Sequence, residues 1–158
     1  MSNADPHVTP IAQSGSLNTI AWQATLHCLT GCAIGEILGM VLGTYWGWSD
    51  GATIVLAVTL AFLSGYAMTI WPLVKSGIPV KHALLLALQA DTASVAIMEI
   101  VDNGAMLVIP GAMSASIDSL LFWGAMTVSL LLAAIAAFPV NRWLIKRGKG
   151  HLLLHAHH

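Results

Sequence analysis

Residues 120–140 read LLFWGAMTVSLLLAAIAAFPV, an apolar run without a charged side chain. A helix needs roughly 20 such residues to cross about 30 Å of hydrocarbon, and this run is long enough. Three further runs share its character, and the predicted spans lie at roughly 18–47, 52–74, 82–105 and 116–143. The sequence therefore predicts an all-α, four-helix transmembrane bundle.

The composition agrees with a lipid environment. Of the 158 residues, 57% are hydrophobic and only 8% are charged, too few to cover a water-soluble protein of this size with polar surface. We divide the chain into a polar N-terminal segment (1–17), a four-helix transmembrane domain (18–143) and a basic, His-rich tail (144–158). The N-terminal segment contains no Lys or Arg, so it lacks the basic region of a secretory signal peptide.

The basic residues predict the orientation of the bundle. With four spans, both termini and the middle loop share one side, and all six Lys and Arg fall there: Lys75, Lys81, Arg142, Lys146, Arg147 and Lys149. The positive-inside rule makes this side the cytoplasm, so we expect both termini to be cytoplasmic. The basic residues form no extended patch, and nucleic-acid binding therefore has no support.

The first span contains the stretch HCLTGCAIGE at residues 27–36. Cys28, Cys32 and Glu36 are each four residues apart, so their side chains form one ridge of the helix. The two thiols share a face without meeting in bridge geometry, so a structural disulfide between them is not expected. A neighbouring ridge of small residues, which would let another helix approach closely, consists of Gly31, Gly35, Gly39 and Gly43.

The third span is less apolar, because acidic residues interrupt it. A charge at mid-bilayer costs about 2.5 kcal/mol or more, so Asp91 and Glu99 are expected to face the bundle interior, either as neutral hydrogen-bonded acids or as functional groups. Asp102 and Met98 lie on the same face of this helix as Asp91. We nevertheless expect Asp102 at the outer interface, where a solvated carboxylate is ordinary. The helical rise places Asp91 near the level of the two thiols and Glu99 near that of Glu36.

These shared depths suggest a polar lane inside the bundle that binds a thiophilic cation. Cys28 and Cys32 would be its soft ligands, and His27 would be a third ligand or a proton carrier. Acids along the lane would compensate the charge of the cation. The full set of expected metal-site residues is Cys28, Cys32, His27, Glu36, Asp91, Met98 and Glu99. The predicted function is transport or delivery of Cu(I), with Zn(II) as the alternative ion.

The end of the chain is rich in histidine, at positions His151, His155, His157 and His158. These imidazoles would collect Zn(II), Cu or Ni(II) on the cytoplasmic side. A purification tag is the competing explanation, but the run is short and interrupted, which favours a native tail.

Two other functions are compatible with the same residues. The thiols could exchange electrons or a transient bond with a membrane enzyme, which would make the chain a redox or assembly factor. Alternatively, the cysteines are small buried side chains, and the glycine ridge docks another membrane protein. Four helices with one narrow polar lane make a small transporter, which is compatible with a homodimer. No recognised catalytic motif is present, so an enzyme class has no support.

The stretch HCLTGCAIGE, the pair Asp91-Thr92 and the His-rich end resemble an uncharacterised family of small bacterial four-helix membrane proteins, a domain of unknown function. The family's motif is His-Cys-x-x-Gly-Cys-x-x-Gly-Glu, and the likeness covers nearly the whole chain after residue 20. The resemblance implies the four-helix fold and a multi-pass location in the bacterial inner (cytoplasmic) membrane. It implies no activity.

Overall fold

Four helices make up the computed structural model, which describes residues 17–147. Their bounds are α1 Leu17–Tyr45, α2 Asp50–Lys75, α3 Val80–Val108 and α4 Leu120–Lys146. No strand occurs between residues 17 and 147, and all four helices are long and apolar enough to span a membrane. The predicted fold class is confirmed. The expectations for the N-terminal segment before Leu17 and for the histidine tail lie outside the described residues.

The helix ends agree with the predicted spans within a few residues, with the largest difference at the start of α4. This helix begins at Leu120 rather than near 116, because a loop containing Pro110 and Gly111 extends to Ser119. Gly111 has a φ of 79°, a left-handed conformation that suits glycine. Ser119 then caps α4 by accepting a hydrogen bond from the backbone N–H of Phe122, at 3.1 Å.

The four helices form an up-and-down bundle. Each helix packs against the next one in the chain, α1 also packs against α4, and α1 contacts α3 across the bundle. We call the side where α1 begins and α4 ends the terminal side, and the opposite side the distal side. On the terminal side, two side-chain hydrogen bonds join α4 to α1. Arg142 Nε donates to Asn18 Oδ1 at 2.8 Å, and Asn141 Nδ2 donates to Thr25 Oγ1 at 2.9 Å.

The glycine ridge of α1 packs against α2. A Cβ added at Gly31 would come within 2.8 Å of the Gly65 Cα, and one added at Gly35 would collide with the backbone of Leu60 and Ala61. The prediction of a close helix approach is therefore confirmed. The matching ridge on α2 is also built from small buried residues at intervals of four: Thr53, Ala57, Ala61, Gly65 and Thr69.

This packing bears directly on the interpretation of the chain as a docking subunit. The glycine ridge is covered by α2 of the same chain, because its backbone-to-backbone fit leaves no space for a further helix. The ridge therefore stabilises the fold and is not a free surface for another membrane protein.

The distribution of side chains is the reverse of that in a water-soluble bundle. Large apolar side chains are more than half exposed on every helix, for example Leu26, Leu63, Ile100 and Ile135. The buried positions instead hold small residues, methionines and several polar or acidic groups. This arrangement suits a bundle whose outer surface meets lipid and whose polar groups are enclosed by protein.

The charged side chains outside the bundle interior are segregated by side. The described basic residues all lie on the terminal side, at the ends of α2 and α4 and the start of α3. Asp50 and Asp118 lie on the distal side. Ser116 donates a hydrogen bond to Asp118, which lowers the pKa of that carboxyl group and favours its ionised form. The orientation of the chain in a membrane remains a prediction.

Candidate functional site

Three carboxyl groups meet in the interior of the bundle, and we call them the carboxyl cluster: Glu36 on α1 with Glu99 and Asp102 on α3. Their exposed fractions are 1%, 5% and 2%. The diagonal contact between α1 and α3 brings the Glu36 carboxyl group within hydrogen-bonding distance of the other two. The predicted match in depth between Glu36 and Glu99 is therefore found in the structure.

The carboxyl cluster receives few hydrogen bonds from its surroundings. Asn103 donates to Glu99 Oε2 at 3.3 Å, and Ser129 on α4 donates to Asp102 Oδ1 at 2.6 Å. Neither Oε of Glu36 meets a hydrogen-bond donor, and neither does Oδ2 of Asp102. These oxygens face one another, and two ionised carboxylates cannot hydrogen-bond because neither supplies a proton.

No basic side chain within the described chain compensates these acids. Lys75, Lys81 and Lys146 are exposed at helix ends on the terminal side, and so is Arg147, whereas Arg142 is half-buried there. Like charges enclosed away from water repel one another strongly. The carboxyl cluster can therefore exist only if it carries protons or if a cation lies among the oxygens.

The two cysteines adjoin the carboxyl cluster. Both are buried and free, and their thiols are close enough to hydrogen-bond to each other. The Cys32 thiol is also a hydrogen-bonding neighbour of Glu99, so the sulfur groups and the acids share one enclosed region. Met98 belongs to the same buried cluster as Cys28 and Cys32.

A second polar group lies nearer the terminal side. His27 Nε2 is 3.3 Å from the Thr69 hydroxyl, and that hydroxyl is also within hydrogen-bonding distance of the Asp91 carboxyl group. Asp91 is buried, and its Oδ2 atom meets no donor. Because these residues come from α1, α2 and α3, the group joins three helices at one depth.

The residues expected to form one metal site lie in two adjoining groups, and Asp91 is close enough to Cys32 for an electrostatic interaction between the groups. Cys28, Cys32, Met98 and the acids Glu36 and Glu99 lie together. His27 and Asp91 pair with Thr69 on the terminal side. Among residues 17–147, no three His, Cys, Asp or Glu side chains stand in a ready metal-binding arrangement.

The expectation for Asp102 is wrong. The sequence places it near the end of an apolar run, where a solvated carboxylate is ordinary, but α3 continues to Val108, and at Asp102 it is still packed against α1 and α4. Asp102 is buried and accepts the hydrogen bond of Ser129. It is therefore a member of the carboxyl cluster rather than an interfacial acid.

Sequence reasoning also missed the neutral polar partners of the acids. Asn103 carries a usable signal, because it lies four residues after Glu99 on the same face of α3 and inside an apolar run. Ser129 and Thr69 carry no such signal. A hydroxyl in a helix can bond to its own backbone, so the side chain alone does not indicate a tertiary partner.

Four helices long and apolar enough to span a membrane, with ionisable groups enclosed among them, indicate a multi-pass membrane protein with a polar interior. The chain belongs to the family described as Domain of unknown function (DUF4396), which matches residues 18–150. Neither the curated proteins nor the solved structures contain a match to the chain. The resemblance to a family of unknown function is confirmed at this level, and its motif and bacterial origin remain predictions.

Proposed function

We propose that this protein binds a thiophilic cation, Cu(I) foremost, inside its four-helix bundle and serves in the transport or delivery of that ion. The observation that carries the proposal is the carboxyl cluster, whose Glu36 oxygens are buried and meet no donor. A cation bound beside these oxygens would remove the electrostatic penalty of enclosing the acids.

The neighbouring sulfur atoms favour a soft ion. Cys28 and Cys32 supply two thiols in contact with each other, and the Met98 thioether belongs to the same buried cluster. Thiolate and thioether ligands select Cu(I) over hard cations. Zn(II) is the alternative ion, and it would draw its further ligands from Glu99 or Glu36.

The extent of the polar lane favours movement of an ion over a purely structural site. From Asp91 to Asp102, the acids cover about 16 Å along α3 at about 1.5 Å per residue. Transmembrane acids mark ion and proton pathways in many transporters. His27, beside Thr69 and Asp91, is in a position to carry a proton at the terminal end of this lane.

Metal analysis of the purified protein tests the proposal. Protein loaded with Cu(I) under reducing conditions should retain the ion, and the double variant Cys28→Ser with Cys32→Ser should retain at least tenfold less. Asp118→Asn, which removes an exposed acid outside the bundle, is the matched control and should bind as the native chain does. Equal metal content in the native chain and the double cysteine variant would overturn the proposal.

A second candidate is a thiol redox or assembly factor, and the contact between the Cys28 and Cys32 thiols favours it. In this case the thiols would exchange electrons or a transient disulfide bond with a partner protein, and they would hold no stoichiometric metal. Alkylation of the thiols would then abolish the function in cells, whereas chelators that enter the membrane would not.

A further inference from the structure

Three methionines form a buried layer on the distal side of the carboxyl cluster. Met40 on α1, Met106 on α3 and Met126 on α4 are each at most 2% exposed, and they pack in one cluster with Phe122. We call these three residues the methionine layer. The sequence alone favours packing residues at these positions, because methionine readily fills irregular gaps in a core.

The spacing along each helix fixes the depth of the layer. Met40 lies four residues after Glu36, and Met106 lies four residues after Asp102. On α4, which runs in the opposite direction, Met126 lies three residues before Ser129, the donor to Asp102. Each methionine is therefore about one turn, or about 5 Å, farther toward the distal side than the polar residue of its own helix.

The methionine layer is connected to the distal surface. Met113, in the loop before α4, packs against the buried cluster of the methionine layer. The same residue lines a groove of about 460 Å³ whose other walls include Asp50 and Ser116. From the distal side inward, the order is thus a groove lined by Asp50, then the thioethers, the carboxyl groups and the thiols.

We propose that the methionine layer is a coordination site for a soft monovalent cation, through which the ion passes between the distal groove and the carboxyl cluster. The inference rests on the proposed function and names a second site for the same substrate class. Thioethers are neutral, soft ligands that bind Cu(I) or Ag(I) and have little affinity for protons, Mg²⁺ or Ca²⁺. The carboxyl cluster, one turn away, supplies the negative charge that the thioethers lack.

Silver binding tests the layer separately from the thiols, with Ag(I) as a redox-stable probe. In a Cys28→Ser, Cys32→Ser background, the full chain in detergent should still bind Ag(I), more weakly than the native chain does, because the thioethers and the carboxyl cluster remain. The added substitutions Met40→Leu, Met106→Leu and Met126→Leu should weaken this binding at least tenfold. Leucine keeps the apolar volume, so the helical content and unfolding temperature should change little. Met68→Leu, a change on α2 outside the methionine layer, is the matched control and should leave binding unchanged.

A second measurement covers the case in which the triple variant fails to fold. On the Cys28→Ser, Cys32→Ser chain with all methionines native, Ag(I) should shift the methyl NMR signals of Met40, Met106 and Met126 and leave that of Met68 in place. Undiminished Ag(I) affinity in a folded triple variant, or unshifted signals from the layer, would overturn the inference. Loss of Cu(I) in the double cysteine variant would still support the proposed function, so the two failures are distinguishable.

Discussion

At the scale of single residues, the main feature is an acid placed where no donor reaches it. Glu36 is enclosed on α1 and faces Glu99 and Asp102, while both of its oxygens lack a hydrogen-bond donor. Unless a proton or a cation lies between these oxygens, a buried polar group without a partner costs about 1–3 kcal/mol. Such a cost is typical of functional sites, where stability is lost so that a ligand can bind.

The substitution Glu36→Gln tests this interpretation. A glutamine amide supplies donors for the oxygens of Glu99 and Asp102 and cannot ionise, so the carboxyl cluster holds one ionisable group fewer. We expect the metal-free variant to be as stable as the native chain or more stable by up to about 1 kcal/mol, measured by thermal unfolding in detergent. Its retention of Cu(I) should fall at least tenfold.

Asp118→Asn is again the control, because that exposed side chain lies on the distal side and takes no part in the carboxyl cluster. A clear loss of stability in the metal-free Glu36→Gln protein would contradict the account. It would mean that the acid is required for packing rather than for a ligand.

At the scale of helices, the close fit of α1 against α2 determines where the polar ridge of α1 points. The glycines occupy the face toward α2, and the neighbouring ridge of Cys28, Cys32 and Glu36 therefore faces the interior. Without side chains between them, the two backbones approach closely and Ser64 donates to the carbonyl oxygen of Gly31 at 2.5 Å. The glycine ridge thus positions the candidate site indirectly.

The substitution Gly35→Ala should disturb this fit. The added methyl group would collide with the backbone at Leu60 and Ala61, which cannot move aside as a flexible side chain can. Overpacking of this kind costs about 1–3 kcal/mol, so we expect a lower unfolding temperature in detergent. Gly124→Ala on α4 is the matched control, because nothing lies within 4 Å of its added methyl group. Equal unfolding temperatures for the two variants would contradict the described packing.

At the scale of the whole molecule, the separation of surface charges predicts how the bundle sits in a membrane. The terminal side carries the basic residues, and Lys75 and Arg147 lie over the rings of Trp71 and Trp143. Cation–π pairs of this kind suit the boundary between water and lipid, where the ring is apolar and the charge is solvated. The distal side carries Asp50 and Asp118 instead.

Fusion reporters test this orientation. A reporter enzyme that is active only outside the cytoplasm should be inactive when joined to the C-terminus, because the positive-inside rule retains the basic side in the cytoplasm. The same reporter inserted in the loop between α3 and α4, near Ser114, should be active and serves as the control. The reverse pattern would place both termini outside the cytoplasm and would exclude the predicted topology.

The four helices, the breaks between them and the glycine ridge can all be predicted from the amino-acid sequence. These features depend on local quantities: the length of an apolar run, the positions of Pro and Gly, and the interval between small residues. The sequence also predicts that Glu36 and Glu99 lie at similar depth in the bundle, because the helical rise per residue relates a residue's number to its distance along the helix axis.

Which side chains come into contact depends on how the four helices pack against one another. The diagonal contact between α1 and α3 brings Glu36 to Glu99 and Asp102, and Asp102 is buried because α3 packs against α1 and α4. The packing also brings His27 and Asp91 to Thr69 and aligns three methionines beyond the acids. The physical reason is that a helical pattern fixes which side chains share a face, whereas the rotation and height of each helix against its neighbours depend on packing across the whole bundle.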